Sequence, residues 1–166
     1  IKLYLARVTA QPLDPVDALR AQELLGACVK LEQVGDIVVR NLLAQVRKKM
    51  KYHLHFTPDG WADLVRIHQS VLATARLAFN VLVSRDLETA RQIVEEKERL
   101  RDLERASSDR HFLRLSEGMP ESIETSAIHL DTIRDLKQIN SLLASMAYPV
   151  LEERGMLRGS RLRAVK

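Results

Sequence analysis

Two stretches of the chain repeat one pattern, and this pattern decides the fold. Residues 29–43 read VKLEQVGDIVVRNLL, and residues 128–142 read IHLDTIRDLKQINSL. In both, an acid and an Asp four positions later lie among apolar residues, and an Asn follows the Asp by five positions. Apolar residues at three- and four-residue steps predict amphipathic helices. The repeat therefore predicts two equivalent helices, each with two carboxylates on one face.

The composition favours long helices over strands. Apolar residues make up 46% of the 166 residues and aromatic residues only 4%, with six Gly and five Pro. No segment alternates with a period of two for long enough to predict a strand. The single cysteine, Cys28, cannot form an internal disulfide, which is typical of a reducing compartment. We expect an all-α fold.

Helix-start signals divide this fold into about four long helices. Asp14-Pro15 and Thr57-Pro58 each place a capping residue before a proline at the first helical position. Glycine and proline near residues 118–120 end a third helix and begin a fourth. The predicted helices span about 15–51, 58–84, 86–118 and 121–153. Before them, residues 1–10 read as the last part of another helix.

The repeated motif falls in the first and fourth of these helices. Residues 57–155 therefore read as helix, helix, motif helix. Residues 1–56 read as a stub plus a motif helix, which is a truncated copy of the same unit. We predict a first repeat at 1–56, a second repeat at 57–155 and a basic tail at 156–166. The missing helices leave the apolar face of residues 19–46 to be covered by a second copy or by upstream sequence.

The net charge of +4 comes from that basic tail, and the rest of the chain is neutral. A solvated basic terminus explains the charge more simply than nucleic-acid binding does. We expect no nucleic-acid partner.

The carboxylate pairs are the candidate metal ligands. Like charges four residues apart destabilise a helix by roughly 0.2–0.5 kcal/mol, so their repetition favours a use such as cation binding. Carboxylate oxygens suit hard cations. In the first pair, Glu32 and Asp36, a solvated acidic face with Asp36 paired to Arg40 is an equal alternative. In the second pair, Asp131 and Asp135, neutralisation by Arg134 and Lys137 is the alternative.

Other chemistries lack their motifs. The chain has no Glu-x-x-His, His-Glu-x-x-His, Cys-x-x-Cys, Gly-x-Ser-x-Gly or glycine-rich phosphate loop. The histidines are scattered, and we expect each on a connector or a helix surface: His53, His55, His68, His111 and His129. No candidate nucleophile has an adjacent base, so we do not expect an enzyme.

The residues 31–37, LEQVGDI, resemble the motif helix of the PhoU family of phosphate-transport regulators. The second copy, 126–140, with 95–104 and 121–125 before it, is most similar to the cytosolic PhoU-like domain of bacterial sodium/phosphate cotransporters. The resemblance implies a tandem of three-helix bundles that regulates phosphate transport without enzymatic activity. It also implies metal ions, iron foremost and Mg, Mn, Ca or Zn otherwise, on Glu32, Asp36, Asp131 and Asp135.

The partners and location follow from the same resemblance. We expect the membrane domain of a phosphate transporter as the partner, a homodimer, inorganic phosphate as a possible ligand, and a place at the cytoplasmic face of the bacterial plasma membrane. The competing hypothesis is a metal-free helical module for dimerisation or docking. A carboxylate-metal hydrolase is a weaker third hypothesis, because no general base lies beside the motifs in the sequence.

Overall fold

A computed structural model describes residues 1–10 and 12–156. No strand occurs in this part of the chain, so the predicted all-α fold is confirmed. Of the predicted basic tail, residues 157–166 lie outside the described residues. The elements are α1 (Lys2–Thr9), α2 (Pro15–Asp36), a π-helical segment (Ile37–Leu42), α3 (Leu43–Lys51), α4 (Pro58–Ser84), α5 (Leu87–Ser116), α6 (Pro120–Ala144), a 3-10 turn (Ser145–Ala147) and α7 (Tyr148–Glu153).

The predicted capping residues begin the helices. The Asp14 carboxylate accepts hydrogen bonds from the first backbone amides of α2. The Thr57 hydroxyl accepts from the amide of Gly60 at the start of α4. Asp86 accepts from the amide of Thr89 and so caps α5. Each cap satisfies an amide that has no partner within its own helix, and this fixes where the chain turns into the helix.

The core lies between α4, α5 and α6, which pack against one another as a three-helix bundle. Ile67 and Val81 on α4 and Ala90 and Ile93 on α5 are at most 1% exposed. α6 closes this core with buried aliphatic residues, while α2 packs on α6 and α1 packs on α2. The bundle covers most of the predicted second repeat. The repeat boundaries at 56 and 155 stay predictions.

The motif helix of the first repeat contains a π-helical segment that the sequence did not predict. The segment Ile37–Leu42 joins α2 to α3 without a break in the chain of helical turns. At its end the amide of Leu43 donates to the carbonyl of Val38, five residues earlier. A π segment widens one turn and so rotates the side chains that follow it. Asn41 lies in this turn and contacts α6.

The last helix is not continuous: the sequence predicts a helix over 121–153 that Pro149 kinks or frays near its end, and the structure breaks it one turn before this proline. α6 ends at Ala144, and the 3-10 turn Ser145–Ala147 separates it from α7. Pro149 has no amide hydrogen for the carbonyl of Ser145, and its ring crowds that carbonyl. The helix therefore breaks one turn before the proline. The break buries Met146 and Ala147 against the core.

Arg85 fastens the first motif helix to the second repeat. It lies in the turn between α4 and α5 with a left-handed backbone, φ 51°. Its guanidinium pairs with Glu23 of α2 and with Glu153 of α7. These hydrogen bonds raise the pKa of Arg85 above its ordinary value. One side chain thus connects three separate parts of the fold.

Candidate functional site

The first carboxylate pair lies at the end of α2 and is exposed. The Glu32 side chain is 63% exposed and pairs with Lys2 of α1. The Asp36 side chain is 53% exposed and lies 3.5 Å from a guanidinium nitrogen of Arg40. Both acids therefore have a cation partner on the surface. Such exposed pairs contribute about 0–1 kcal/mol, so a stronger ligand could displace either cation.

The second pair lies on α6 and differs sharply between its members. The Asp131 side chain is 42% exposed, with Oδ1 2.8 Å from Nη1 of Arg134. The Asp135 side chain is 1% exposed. Its Oδ1 accepts a hydrogen bond from Nδ2 of Asn41 at 3.1 Å and lies 3.5 Å from Nη2 of Arg134. Its Oδ2 is buried and has no hydrogen-bond partner among the described residues.

Asn41 brings the two motif helices together. It follows Asp36 by five residues in the first copy, and it binds Asp135 of the second copy. Asn140, at the matching position of the second copy, is 1% exposed, and its Oδ1 has no partner in the described part of the chain. Of the two matching asparagines, Asn41 thus joins neighbouring helices through a side-chain hydrogen bond.

The four predicted ligands do not form one closed metal cage. Within residues 1–10 and 12–156, no group of three or more His, Cys, Asp or Glu side chains is placed to hold a metal ion. The donor set nevertheless fits a hard cation, because all four are carboxylates and the buried Oδ2 of Asp135 has no partner within the described part of the chain. A metal ion bound to Asp135 would need a second carboxylate ligand from a neighbouring residue. Asp131 is the nearest along the helix, once Arg134 turns toward solvent.

A buried charge cluster lies elsewhere in the second repeat and was missed by the sequence analysis. Asp63 on α4 is 1% exposed. Its carboxylate accepts from Nη2 of Arg66 at 2.5 Å and from Nη2 of Arg110 at 2.6 Å. Burial raises the pKa of Asp63, but these hydrogen bonds outweigh it and hold the pKa below its usual value. Arg114 is the third cation, with Nη1 3.8 Å from Oδ2.

Two histidines beside this cluster correct a prediction. His111 of α5 and His129 of α6 are 1% exposed rather than on a surface. Their rings stack with centroids 4.7 Å apart. His111 Nε2 lies 2.9 Å from the hydroxyl of Ser126, and His129 Nε2 lies 3.5 Å from that of Ser107. Burial, with the charges of His111 and Arg114, lowers the pKa of His129 to about 4.

The signal for these buried groups was present in the spacing. Ser107, His111 and Arg114 follow Leu100 on the same three- and four-residue steps as the apolar stripe of α5. His129 likewise precedes Ile133 by four residues on α6. A stripe that counts only apolar residues stops too early, because Ser107 contacts His129 and His111 contacts Ser126 inside the bundle.

An apolar groove opens between α3, α4 and α6. Its volume is about 590 Å³, and Val46, Met50 and Trp61 at its edge are at least half exposed. The predicted uncovered face of residues 19–46 is only partly uncovered, because Ile37 is buried and Leu31 and Val34 pack against the core. Six large apolar side chains in this range are 39–60% exposed: Leu19, Val29, Val38, Val39, Leu43 and Val46. A face of this kind marks a contact with another helix or another chain.

Comparison with known proteins assigns the chain to a family. Residues 64–150, slightly more than half of the chain, match the family model of the PhoU domain. The chain therefore belongs to the PhoU family, as the twin acidic motifs predicted. No solved structure gives a significant match. None of the helices in the described residues is long and apolar enough to cross a membrane.

Curated relatives carry names from phosphate transport. The chain is 37% identical over 153 residues to the protein of Escherichia coli (strain K12) named "Putative inorganic phosphate export protein YjbB". It is 36% identical over 153 residues to the protein of the same name in Salmonella typhimurium. Each match covers 92% of this chain and 28% of the relative. The chain thus spans less than a third of the length of these relatives.

Proposed function

We propose that this chain is a non-enzymatic regulatory module that controls phosphate movement through a membrane transporter and that binds metal through its twin acidic motifs. Membership of the PhoU family supports the regulatory role. The names of the relatives support phosphate, and they favour export as the direction of transport. Because the second motif resembles the cytosolic domain of bacterial sodium/phosphate cotransporters, we propose a transporter of this kind. The module would then lie at the cytoplasmic face of the bacterial plasma membrane.

One observation carries the metal part of the proposal. Asp135 is buried, one of its oxygens accepts a hydrogen bond from Asn41, and the other has no partner among the described residues. A buried carboxylate oxygen without a partner costs about 1–3 kcal/mol or more, and a cation would recover this energy. Asn41 belongs to the other motif helix, so a metal on Asp135 would change the contact between the two repeats. Metal binding at Asp135 would therefore alter how the two repeats pack against each other.

Metal analysis tests this part. The 166-residue chain is stripped with chelator, reloaded separately with iron, manganese, magnesium, calcium or zinc, desalted and measured by mass spectrometry. We expect the wild type to retain stoichiometric metal, with iron retained best. Asp135→Asn and the double variant Glu32→Ala/Asp36→Ala should each retain less. Asp102→Asn, on the exposed face of α5, is the matched control. A wild type that stays metal-free after excess iron and manganese would refute metal binding.

Phosphate flux tests the regulatory part. In cells that carry the full-length protein, Asp135→Asn should change the rate of ³²P-phosphate release, while Asp102→Asn should leave it unchanged. Equal rates of phosphate release for wild type and Asp135→Asn would show that the motif does not control transport. This outcome would leave the family assignment intact.

The alternative function is a metal-free module for helical docking or dimerisation. Two observations favour it: the groove of about 590 Å³ and the cations Lys2, Arg40 and Arg134, which pair with all four acids. A homodimer formed through the uncovered face of residues 19–46 is part of both proposals. The metal analysis distinguishes them, because only the first requires retained metal. No observation in the described part of the chain favours a nucleic-acid partner.

A further inference from the structure

We propose that the buried guanidinium of Arg114 and the first turn of α4 form a binding site for a small oxyanion, such as inorganic phosphate. The site lies in the second repeat and uses none of the four motif carboxylates. The choice of phosphate among oxyanions rests on the proposed function, whereas the site itself rests on the geometry that follows.

Arg114 presents a buried edge of hydrogen-bond donors. The residue is 6% exposed. Its Nη1 lies 3.8 Å from Oδ2 of Asp63, but Nε and Nη2 have no hydrogen-bond partner among the described residues. These two nitrogens form one edge of the guanidinium plane, the edge that binds two oxygens of a phosphate or carboxylate side by side. Leaving such charged donors unpaired inside a protein is costly, so the edge needs an acceptor.

The edge faces the start of a long helix. A β-carbon built on Gly60 would lie 3.0 Å from Oγ1 of Thr57, 3.5 Å from Nη2 of Arg114 and 3.8 Å from Cε1 of His129. Gly60 is the third residue of α4, which runs for 27 residues and is capped by Thr57. The amino end of a helix carries a partial positive charge that favours anions. Because Gly60 has no side chain, the guanidinium of Arg114 lies close to the backbone of this helix end.

The charge of Arg114 is poorly balanced by its surroundings. Asp63 is the nearest carboxylate, and Arg66 and Arg110 already occupy its oxygens at 2.5 and 2.6 Å. His111 and His129 hold low pKa values, because burial disfavours their charged forms, so they add no positive charge of their own near neutral pH. Asp59 and Asp109 are exposed, and solvent screens their charges. Solvent screens the partly exposed Arg66 and Arg110 in the same way, so the buried guanidinium of Arg114 is the charge that attracts an anion.

Trp61 supplies the readout for the test. It is the only tryptophan of the chain and directly follows Gly60. The whole 166-residue chain, treated with chelator to remove metal, is titrated with sodium phosphate against sodium chloride of equal ionic strength. Tryptophan fluorescence and calorimetry both report binding. We expect saturable binding of phosphate and none of chloride.

Two variants locate the site. Gly60→Ala adds a methyl group 3.5 Å from Nη2 and should weaken phosphate binding at least tenfold. Because this methyl group also lies 3.0 Å from the Thr57 hydroxyl that caps α4, a second variant at Arg114 is needed. Gly26→Ala is the matched control, because a β-carbon there meets nothing within 4 Å. Arg114→Lys keeps the charge but removes the two-donor edge, and it should weaken binding by a similar factor. Circular dichroism checks that each variant keeps the helical content of the wild type.

The outcomes separate this site from the metal proposal. Absence of saturable phosphate binding by the wild type would overturn the site, as would equal binding by wild type and a folded Gly60→Ala variant. Sulfate binding as tight as phosphate binding would support an oxyanion site that does not select phosphate. Since metal is removed throughout, a metal-free wild type in the metal analysis would leave this result unaffected.

Discussion

Asn41 of the π-helical segment donates a hydrogen bond of 3.1 Å to Asp135 of α6, so the buried carboxylate of one motif is held by the other motif helix. The duplicated sequence would allow a second, equivalent bond from Asn140 to Asp36. The Asp36 side chain is instead 53% exposed and pairs with Arg40. The two copies thus share a sequence pattern but have different environments. The proposed metal function depends mostly on the second copy.

Removal of the Asn41 side chain should destabilise the fold. Asn41→Ala leaves the buried Oδ1 of Asp135 with only the distant contact from Arg134, and an unsatisfied buried group costs about 1–3 kcal/mol. Urea denaturation monitored by circular dichroism measures this loss. Asn80→Ala, which removes only a 3.4 Å contact to Thr89, should cost less. Equal stability of wild type and Asn41→Ala would show that this bond contributes nothing to joining the repeats.

The buried charge cluster should respond strongly to loss of its carboxylate. Asp63→Asn leaves Arg66, Arg110 and Arg114 without a counter-ion, and breaking a buried ion pair costs about 3–5 kcal/mol. We expect a value near 3 kcal/mol, because the side chains of Arg66 and Arg110 are 51% and 42% exposed and can turn to solvent. Thermal unfolding of Asp63→Asn beside Asp102→Asn measures the difference. Equal melting temperatures would contradict a structural role for the cluster.

Local sequence signals predicted the helices well because local bonds determine them. Asp14, Thr57 and Asp86 cap their helices with bonds to amides only two or three residues away. The π segment was not predicted, and Pro149 predicted a kink or frayed end but not a break as early as Ala144. A π turn has no fixed residue pattern, and it is retained here where Asn41 meets α6. The break required Pro149 to be read as stopping the helix a turn earlier rather than fraying its end.

The candidate sites were predictable to different degrees. The motif pairs were found because each lies within one helix, at a spacing that can be read directly. Their burial was not predictable, since Asp135 is enclosed by a residue 94 positions earlier in the chain. The cluster around Asp63 joins α4 to α5 across 47 positions. No pairing of distant residues can be read from one sequence, so this cluster and the His111–His129 stack required the structure.

The uncovered apolar face should mediate self-association if the proposed homodimer forms there. Val39 is 60% exposed and lies within residues 19–46. Val39→Glu places a charge in the contact and should shift sedimentation velocity profiles toward monomer, because burying an unpaired charge is costly. Val83→Glu is the matched control, since Val83 is 86% exposed at the far end of α4 and outside this face. A wild type that is monomeric at high concentration would refute the homodimer.

Acidification should destabilise the second repeat through His129. The folded protein lowers the pKa of this imidazole from 6.5 to about 4, chiefly by burial. Between these values the unfolded chain binds a proton that the folded chain does not, so the free energy of unfolding falls as pH drops from 6.5 toward 4. A shift of this size corresponds to a loss of about 3 kcal/mol at the acidic end of the window. Urea denaturation at a series of pH values between 7 and 4 measures the slope.

The variant His129→Gln identifies the source of that slope. Glutamine does not titrate in this range, so the variant should be less stable than wild type at pH 7 but should lose less stability on acidification. His111 has a pKa lowered by burial in the same direction and stays in the variant, so a smaller slope should remain. His55→Gln, in the exposed connector before α4, should keep the full wild-type slope. If His129→Gln keeps it as well, the acid sensitivity arises outside the histidine stack.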